Sequence, residues 1–327
     1  MCNAFCGKRE LASLRMGIPR ELDENKEINE RPSHNNKGVR KFVHQKAPKV
    51  DQLIIQHYQG RCKSLEGEEG TAQGLSPIVN LKWLHSSIKM WLIHMYAKVG
   101  DGVLDLACGK GGDLMKWKKV DVGYYLGIDI VEGLVNVAKR RYETLGCPFL
   151  GRFICADGFS ETLVRERLRN EQPFDICSCQ FALHYSWSTE QRARATLANV
   201  ATMLKPGGFF IGTILDANRI LKKLRETSAT SPDSDKPRVR FGNKLYTITF
   251  DSENKNKALS LPLQNYIETH NYFGIQYEFD LVDAIDHCPE WLVPLCALTK
   301  IALEYNLELV FSTSFHHLIR QQHMEYN

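Results

Sequence analysis

The sequence contains no apolar run that approaches the roughly 18 residues of a membrane span. Its first ten residues also lack the apolar segment of a secretory signal peptide. It shows no internal repeat. Neither sign of charge dominates, because the chain has 42 Lys and Arg residues and 38 Asp and Glu residues. The resulting net charge of +4 permits a nucleic-acid partner without requiring one. We therefore expect no association with a membrane.

Paired cysteines at metal-binding spacing are also lacking, although the chain has ten cysteines. Cys177 and Cys179 are too close together for the usual two-residue gap, and Cys2 and Cys6 have no matching second pair. Four of the cysteines lie in or beside apolar segments, where a thiol packs as a small hydrophobic group: Cys108, Cys155, Cys177 and Cys179. We expect a reducing compartment and no bound metal.

The 327 residues include 43% apolar residues, enough for a sizeable core. Residues 1–48 are polar and aperiodic, which predicts a disordered basic arm. Nuclear import, RNA contact or plain solvation would all suit such an arm. Residues 49–327 are predicted to form one domain, with an insertion at about 226–290 that begins in a Ser-, Thr-, Asp- and Pro-rich stretch.

Strand and helix patterns alternate through the middle of the chain. Strands are predicted at 102–107, 124–130, 151–156, 174–180 and 208–214, and helices at 112–119, 132–145, 160–169 and 190–204. This alternation predicts an α/β fold with a doubly wound, mostly parallel sheet and helices on both faces. Further on, 241–250 and 274–282 read as antiparallel strands, 289–305 as a helix and 307–315 as a sixth sheet strand.

Residues 103–113 hold the most informative motif, a buried strand followed by a turn with Gly109, Gly111 and Gly112. A strand, a glycine turn and a helix bring bare backbone close to a nucleotide-like ligand. Lys110 and Lys116 add positive charge where a phosphate-bearing second substrate can sit. The spacing matches neither the dinucleotide-binding fingerprint of dehydrogenases nor the phosphate-binding loop.

Polar residues follow the later strands at the same edge of the predicted sheet. Asp129 ends the second strand, 24 residues after Asp105, where an acid binds ribose hydroxyls. Asp157 and Gln180 end the third and fourth strands, although an acid there can also cap the following helix. An Asp-x-x-x-Gly-x-Gly turn followed by these residues suits an S-adenosylmethionine site.

In these motifs the chain resembles the messenger RNA cap guanine-N7 methyltransferases, over roughly residues 50–320. The resemblance is carried by the segments 104–117, 174–186 and 206–213 and by Pro289-Glu290 with Leu292. It implies a methyl donor bound by Lys89, Asp105, Ala107, Gly109, Asp129, Asp157, Gln180 and Tyr185. It further implies a cap bound by His85, Ser86, Lys110, Lys116, Arg141, His184 and Glu290.

The implied reaction transfers methyl from S-adenosylmethionine to N7 of the terminal guanosine of a GpppN cap. Guanine N7 already carries an in-plane lone pair, so no residue is assigned as an acid–base catalyst. His184, Tyr185 and Glu290 are expected to orient the substrates. The resemblance also implies a nuclear location and a capped mRNA 5′ end as partner. The sequence does not show the oligomeric state, and a monomer is the default expectation. A capping enzyme, RNA polymerase II or a small activating subunit are further candidate partners.

The chain departs from the family at three places. Ala107 replaces a usual glycine, and His85-Ser86 replaces an Asn-Asn pair. The sequence also ends soon after the sixth predicted strand, so the last strand of the family, with a cap-contacting tyrosine, has no counterpart there. An open sheet edge is therefore expected.

Two other functions stay open at this point. One is a catalytically weakened protein on the same fold that binds a cap or RNA. The other is a small-molecule methyltransferase, against which the basic residues Lys110, Lys116 and Arg141 argue, because a neutral substrate would not need them.

Overall fold

Helices and strands alternate along most of the computed structural model, which describes residues 2–10, 52, 54–60, 76–230, 238–261 and 272–325. In chain order the elements are β1 (Cys2–Arg9), α1 (54–60), α2 (Val79–Tyr96), β2 (Gly102–Leu106), α3 (Leu114–Val120), β3 (Tyr124–Asp129), α4 (Glu132–Thr144), β4 (Leu150–Cys155), a π-helical turn (Val164–Leu168), β5 (Phe174–Gln180), a 3-10 turn (Leu183–Ser188), α5 (Glu190–Met203), β6 (Leu204–Leu215), α6 (Ala217–Thr230), β7 (Arg238–Gly242), β8 (Tyr246–Asp251), α7 (Ser252–Ser260), β9 (Gln276–Leu281), β10 (Ile285–Trp291), α8 (Leu295–Glu304), β11 (Leu307–Ser314) and α9 (Phe315–Glu325).

Seven of these strands form one sheet in the order β11-β1-β6-β5-β2-β3-β4. Neighbouring strands from β6 to β4 pair in parallel, and β1 pairs antiparallel with both β6 and β11. Buried residues of α2, α3 and α9 pack on one face, and those of α5, α6 and α8 pack on the other. The predicted doubly wound, mostly parallel sheet is confirmed.

Strand β1 corrects two expectations about the ends of the chain. Residues 2–9 are not disordered, because Ala4, Phe5 and Cys6 are buried in the middle of the sheet. The rest of the predicted arm, residues 11–48, lies outside the described residues. The open sheet edge expected from a missing last strand is also wrong, because β1 fills the place between β6 and β11 and pairs with both.

A second sheet, β10-β9-β8-β7, is antiparallel and confirms the small insertion. The predicted strand at 241–250 is a hairpin of β7 and β8, because residues 243–245 form its turn. The predicted helix at 289–305 is wrong in its first part, where β10 pairs with β9 and α8 begins only at Leu295. Within the described residues, no helix has both the length and the apolar character needed to cross a membrane.

Candidate active site

A cavity of about 240 Å³ lies at the carboxyl ends of β2, β3 and β5. Apolar and aromatic side chains such as Val131, Leu134 and Phe159 form much of its wall. Six of the eight predicted donor-binding residues line it: Ala107, Gly109, Asp129, Asp157, Gln180 and Tyr185. Lys89 and Asp105 do not line it.

The glycine turn after β2 forms the floor of this cavity in a left-handed backbone conformation. Gly109 and Gly111 have φ angles of +55° and +68°, and Ala107 has a φ of +56°. Asp129 fixes the turn, because its carboxylate accepts the Gly109 N–H at 2.8 Å and the Val131 N–H at 2.9 Å. Burial raises the pKa of Asp129, while these two amides oppose the increase.

Asp157 is held by an arginine that the sequence did not indicate. Arg192 contacts both carboxylate oxygens of Asp157, at 2.8 and 3.0 Å, and also donates to the Tyr185 carbonyl at 3.3 Å. Thr189 caps helix α5 by accepting the Arg192 N–H, so the arginine projects from the first turn of that helix. One guanidinium thus positions two residues of the cavity wall.

Gln180 is held in a similar way from the neighbouring strand. The Thr213 hydroxyl donates to Gln180 Oε1 at 3.1 Å, and the Gln180 amide donates to the Ser178 hydroxyl at 3.2 Å. The backbone N–H of Phe181, which also lines the cavity, reaches the Thr213 carbonyl at 3.0 Å. Thr213 therefore organises the end of β5.

Beneath the glycine turn, Asp113 joins two of the predicted substrate-binding lysines. Its Oδ1 lies 2.7 Å from Lys89 Nζ and 2.8 Å from Lys116 Nζ. Burial by itself raises the pKa of Asp113, but the two ammonium groups outweigh it and hold the pKa below its usual value. The Lys116 side chain is only 6% exposed, so in this conformation it faces the interior rather than a phosphate chain.

Asp105 lies deeper than the cavity wall. It is buried and accepts the Tyr125 hydroxyl at 2.8 Å. Burial, followed by the charge of Asp113, raises the pKa of Asp105 to about 7. Its position supports the turn from below.

The residues implied for guanine meet beside the donor cavity. His184 Nε2 lies 3.6 Å from Glu290 Oε1, and the ring of His184 contacts that of Tyr185 with a centroid distance of 4.1 Å. Both residues are buried, and burial lowers the pKa of His184 to about 3 and raises that of Glu290 to about 8. The pair is therefore neutral near pH 7, and Tyr277 donates to the other Glu290 oxygen at 2.8 Å.

The remaining predicted cap residues differ in burial. Burial, followed by the charge of Lys89, lowers the pKa of His85 to about 4, and its ring lies 4.7 Å from that of Phe181. Ser86 and Lys110 are half-buried, whereas Arg141 is exposed on α4. The structure thus packs His85 behind Phe181, which lines the cavity, and leaves Arg141 at the surface.

Comparison with known proteins shows to which family the chain belongs. The family model described as "mRNA (guanine-N(7))-methyltransferase domain" matches residues 41–327. The chain belongs to this family. The mRNA cap guanine-N(7) methyltransferase 1 of Oryza sativa subsp. japonica is 47% identical over 276 residues, which cover 82% of this chain and 68% of that protein.

Other members of the mRNA (guanine-N(7))-methyltransferase family match at comparable length. The enzyme of Arabidopsis thaliana is 43% identical over 88% of this chain and 74% of its own, and that of Saccharomyces cerevisiae is 37% identical over 84% and 60%. Among solved structures, the CcbJ methyltransferase from Streptomyces caelestis matches with a TM-score of 0.47 and 13% identity, over 79% of this chain and 86% of its own.

Several residues of this methyltransferase site were missed by sequence reasoning. Asp113 stood at the end of the glycine motif but was given no role, whereas its carboxylate makes no cap hydrogen bond and pairs with Lys89 and Lys116. Tyr277 and Arg192 carried no motif. Tyr58, whose hydroxyl lies 3.0 Å from that of Tyr185, comes from α1, far from every motif in the sequence.

Proposed function

We propose that this methyltransferase transfers a methyl group to N7 of the terminal guanosine of an mRNA cap, with the donor in the cavity beside Tyr185 and the guanine against His184 and Glu290. The observation that carries the proposal is this adjacency. Tyr185 lines the donor cavity, and its ring contacts that of His184, which faces Glu290. Tyr185 therefore joins the two proposed sites, and a donor and an acceptor base bound there would lie next to each other.

The residues of the cavity fit S-adenosylmethionine. Both oxygens of Asp129 already accept a backbone N–H, yet a carboxylate has about four acceptor sites and can still receive ribose hydroxyls. Val131, Leu134 and Phe159 offer an apolar wall to an adenine ring. The Lys89 ammonium has three N–H groups and contacts both oxygens of Asp113. One N–H therefore remains that could bind the carboxylate of S-adenosylmethionine.

The chemistry asks little more than alignment from the protein. S-adenosylmethionine supplies an activated methyl on a sulfonium, and guanine N7 supplies a lone pair. Positioning of two such groups is worth roughly 7–11 kcal/mol in favourable cases. A charged Glu290 would accept hydrogen bonds from the guanine N1 and N2 edge, and Tyr277 would hold that carboxylate in place. His184, neutral because it is buried, can approach a base without a charge to desolvate.

The test is methyl transfer from labelled S-adenosylmethionine to RNA ending in GpppN, measured with the 327-residue chain. We expect label at guanine N7. The Glu290→Ala variant should lose activity while it retains S-adenosylhomocysteine binding by calorimetry. Equal methylation of unphosphorylated guanosine would contradict the cap assignment and favour a small-molecule substrate. Cap binding without turnover would favour the weakened binding protein instead.

The setting of the reaction is proposed on the same basis. Because relatives of this chain are named as mRNA cap methyltransferases, we infer that the substrate is a capped mRNA 5′ end and that the protein acts in the nucleus, where that RNA is made. The monomeric state, the absence of a metal and the protein partners of the capping machinery stay predictions.

A further inference from the structure

Strand β1 is the feature of this chain that its family resemblance explains least. It occupies the place between β6 and β11, two strands that lie more than 190 residues further along the chain. It runs antiparallel to β6, so that Cys2 pairs with Leu215 and Lys8 with Phe209. The beginning of β1 therefore lies at the end of β6, which is the edge of the sheet where the donor cavity opens.

One close contact fixes the register of β1 on β6. The Phe5 ring lies over Gly212, since a Cβ atom added at Gly212 would stand 2.7 Å from Phe5 Cζ. Phe5 is 2% exposed and makes an edge-to-face contact with Phe210 at 5.3 Å. A one-residue slip of β1 would turn this ring to the other face of the sheet.

The next pair along β1 leads directly to the donor cavity. Ala4 pairs with Thr213, which is fully buried. Thr213 donates from its hydroxyl to Gln180 Oε1 at 3.1 Å, and its carbonyl accepts the Phe181 N–H at 3.0 Å. Gln180 and Phe181 both line the cavity, and Phe181 has a strained φ of +57° that its surroundings must hold.

We propose that β1 positions the methyl-donor cavity: seated between β6 and β11, it holds Thr213, and Thr213 holds Gln180 and Phe181 of the cavity wall. This inference rests on the donor role proposed above for that cavity. Seating of β1 and binding of the donor are then coupled, and because coupling between two sites is reciprocal, the donor also holds β1 in place.

The first test uses the unaltered protein. Amide hydrogen exchange is measured with and without saturating S-adenosylhomocysteine. The internal reference is β8, an interior strand of the second sheet that is paired on both sides, by β7 and β9. We expect exchange at residues 3–8 to slow at least about fivefold more than exchange in β8. Equal slowing in both strands would mean only global stabilisation by ligand and would overturn the proposal.

The second test uses two matched phenylalanines. Phe5→Ala should raise the KM for S-adenosylmethionine about tenfold and change the KM for capped RNA less than about threefold. Phe149→Ala removes an equally buried ring, 4% exposed, at the opposite edge of the sheet and should leave both KM values within about threefold. If both variants alter the donor KM equally, or if neither does, β1 is a structural strand only and the proposal fails.

Calorimetry separates this proposal from the one on which it rests. Failure of the unaltered protein to bind S-adenosylhomocysteine would overturn the donor site itself, and the coupling with it. Binding of S-adenosylhomocysteine without a differential change in β1 exchange would overturn the coupling alone. Should Phe5→Ala fail to fold, the exchange measurement decides, since it needs no substitution.

Discussion

Asp113 is the residue on which two predicted substrate-binding lysines converge. Its buried carboxylate lies within 2.8 Å of the Nζ atoms of both Lys89 and Lys116. Two ammonium groups this close would repel each other strongly in a low-dielectric interior. Asp113 is therefore a positioning residue, because its negative charge allows the two ammonium groups to lie close together.

The variant Asp113→Asn tests this role. It keeps the shape of the side chain but leaves the buried ammonium of Lys116 and the half-buried one of Lys89 without this counter-ion, so we expect the free energy of unfolding to fall by about 3–5 kcal/mol. We also expect the KM for S-adenosylmethionine to rise. The control is Glu226→Gln, which removes an exposed ion pair with Lys223 and should leave the free energy of unfolding almost unchanged. Equal effects of the two substitutions in urea unfolding would contradict the assignment.

Ala107 carries a backbone strain that its family usually avoids with glycine. Its φ of +56° places a Cβ atom in the left-handed region, which costs roughly 1–2 kcal/mol. Ala107→Gly would relieve this strain, but glycine loses more conformational entropy on folding, which offsets part of the gain. We therefore expect a net stabilisation of about 0.5–1 kcal/mol. Ala138→Gly, in the buried face of α4, should destabilise by about 1 kcal/mol. Chemical unfolding measures both, and a loss of stability at Ala107 would contradict the strain.

Glu290 predicts the pH dependence of cap binding. Burial raises its pKa to about 8, so the free protein holds the carboxyl protonated below that pH. The N1–H and N2–H donors of guanine need the carboxylate, so the KM for capped RNA should rise up to about tenfold per unit as the pH falls from 8 to 6. In Glu290→Gln this dependence should disappear. A parallel pH profile in the two proteins would exclude Glu290 as the titrating group.

The raised pKa of Glu290 also makes the free energy of unfolding depend on pH. A carboxyl with a raised pKa in the folded state binds its proton more tightly there than in the unfolded chain. The contribution of Glu290 to stability is thus full below pH 4.5 and is lost as the pH rises toward 8. Relative to Glu290→Gln, the unfolding free energy should therefore fall by up to about 1.4 kcal/mol per pH unit across that range.

At the scale of elements, β1, β5 and β6 approach one another closely at Gly212. A Cβ atom at Gly212 would stand 2.5 Å from the Cys179 carbonyl oxygen on β5 as well as meeting Phe5 on β1. Because one of these neighbours is backbone, the strands themselves would have to move.

We expect Gly212→Ala to destabilise the protein by about 1–3 kcal/mol or more. Gly60→Ala is the matched control, since no atom lies within 4 Å of a Cβ built at Gly60. Thermal unfolding of both variants provides the measurement. Near-equal melting temperatures would show that β1 and β6 separate easily, against the register described above.

At the scale of the whole molecule, the small net charge of +4 means that RNA binding depends on where the charge lies. Each phosphate contact with single-stranded RNA contributes about −0.7 to the slope of log affinity against log salt concentration. If exposed Arg141 contacts the phosphates of the cap, Arg141→Gln should reduce the slope by about that amount. Lys257→Gln, at an exposed pair with Glu253, should leave it unchanged. Fluorescence anisotropy of capped RNA at several salt concentrations distinguishes the two.

The sequence by itself determined the parallel part of the sheet and the glycine turn, because both depend on local patterns. Buried strands such as Val103–Leu106 and helices such as α4 read directly from apolar periodicity. The sequence also predicted that one edge of the sheet carries Asp129, Asp157 and Gln180, since the carboxyl ends of neighbouring parallel strands meet there. Glu290 was found only through the family resemblance.

Only the tertiary structure decided what fills the place between β6 and β11 and which partners hold the site residues. No local pattern relates Phe5 to Gly212, because their contact depends on pairing across about 200 residues. The segment around Glu290 reads as a helix by itself and becomes β10 because Tyr277 and its strand pair with it. The role of Asp113 likewise depends on packing, because only the folded chain brings Lys89 and Lys116 against its carboxylate, and a charge that is buried needs a partner.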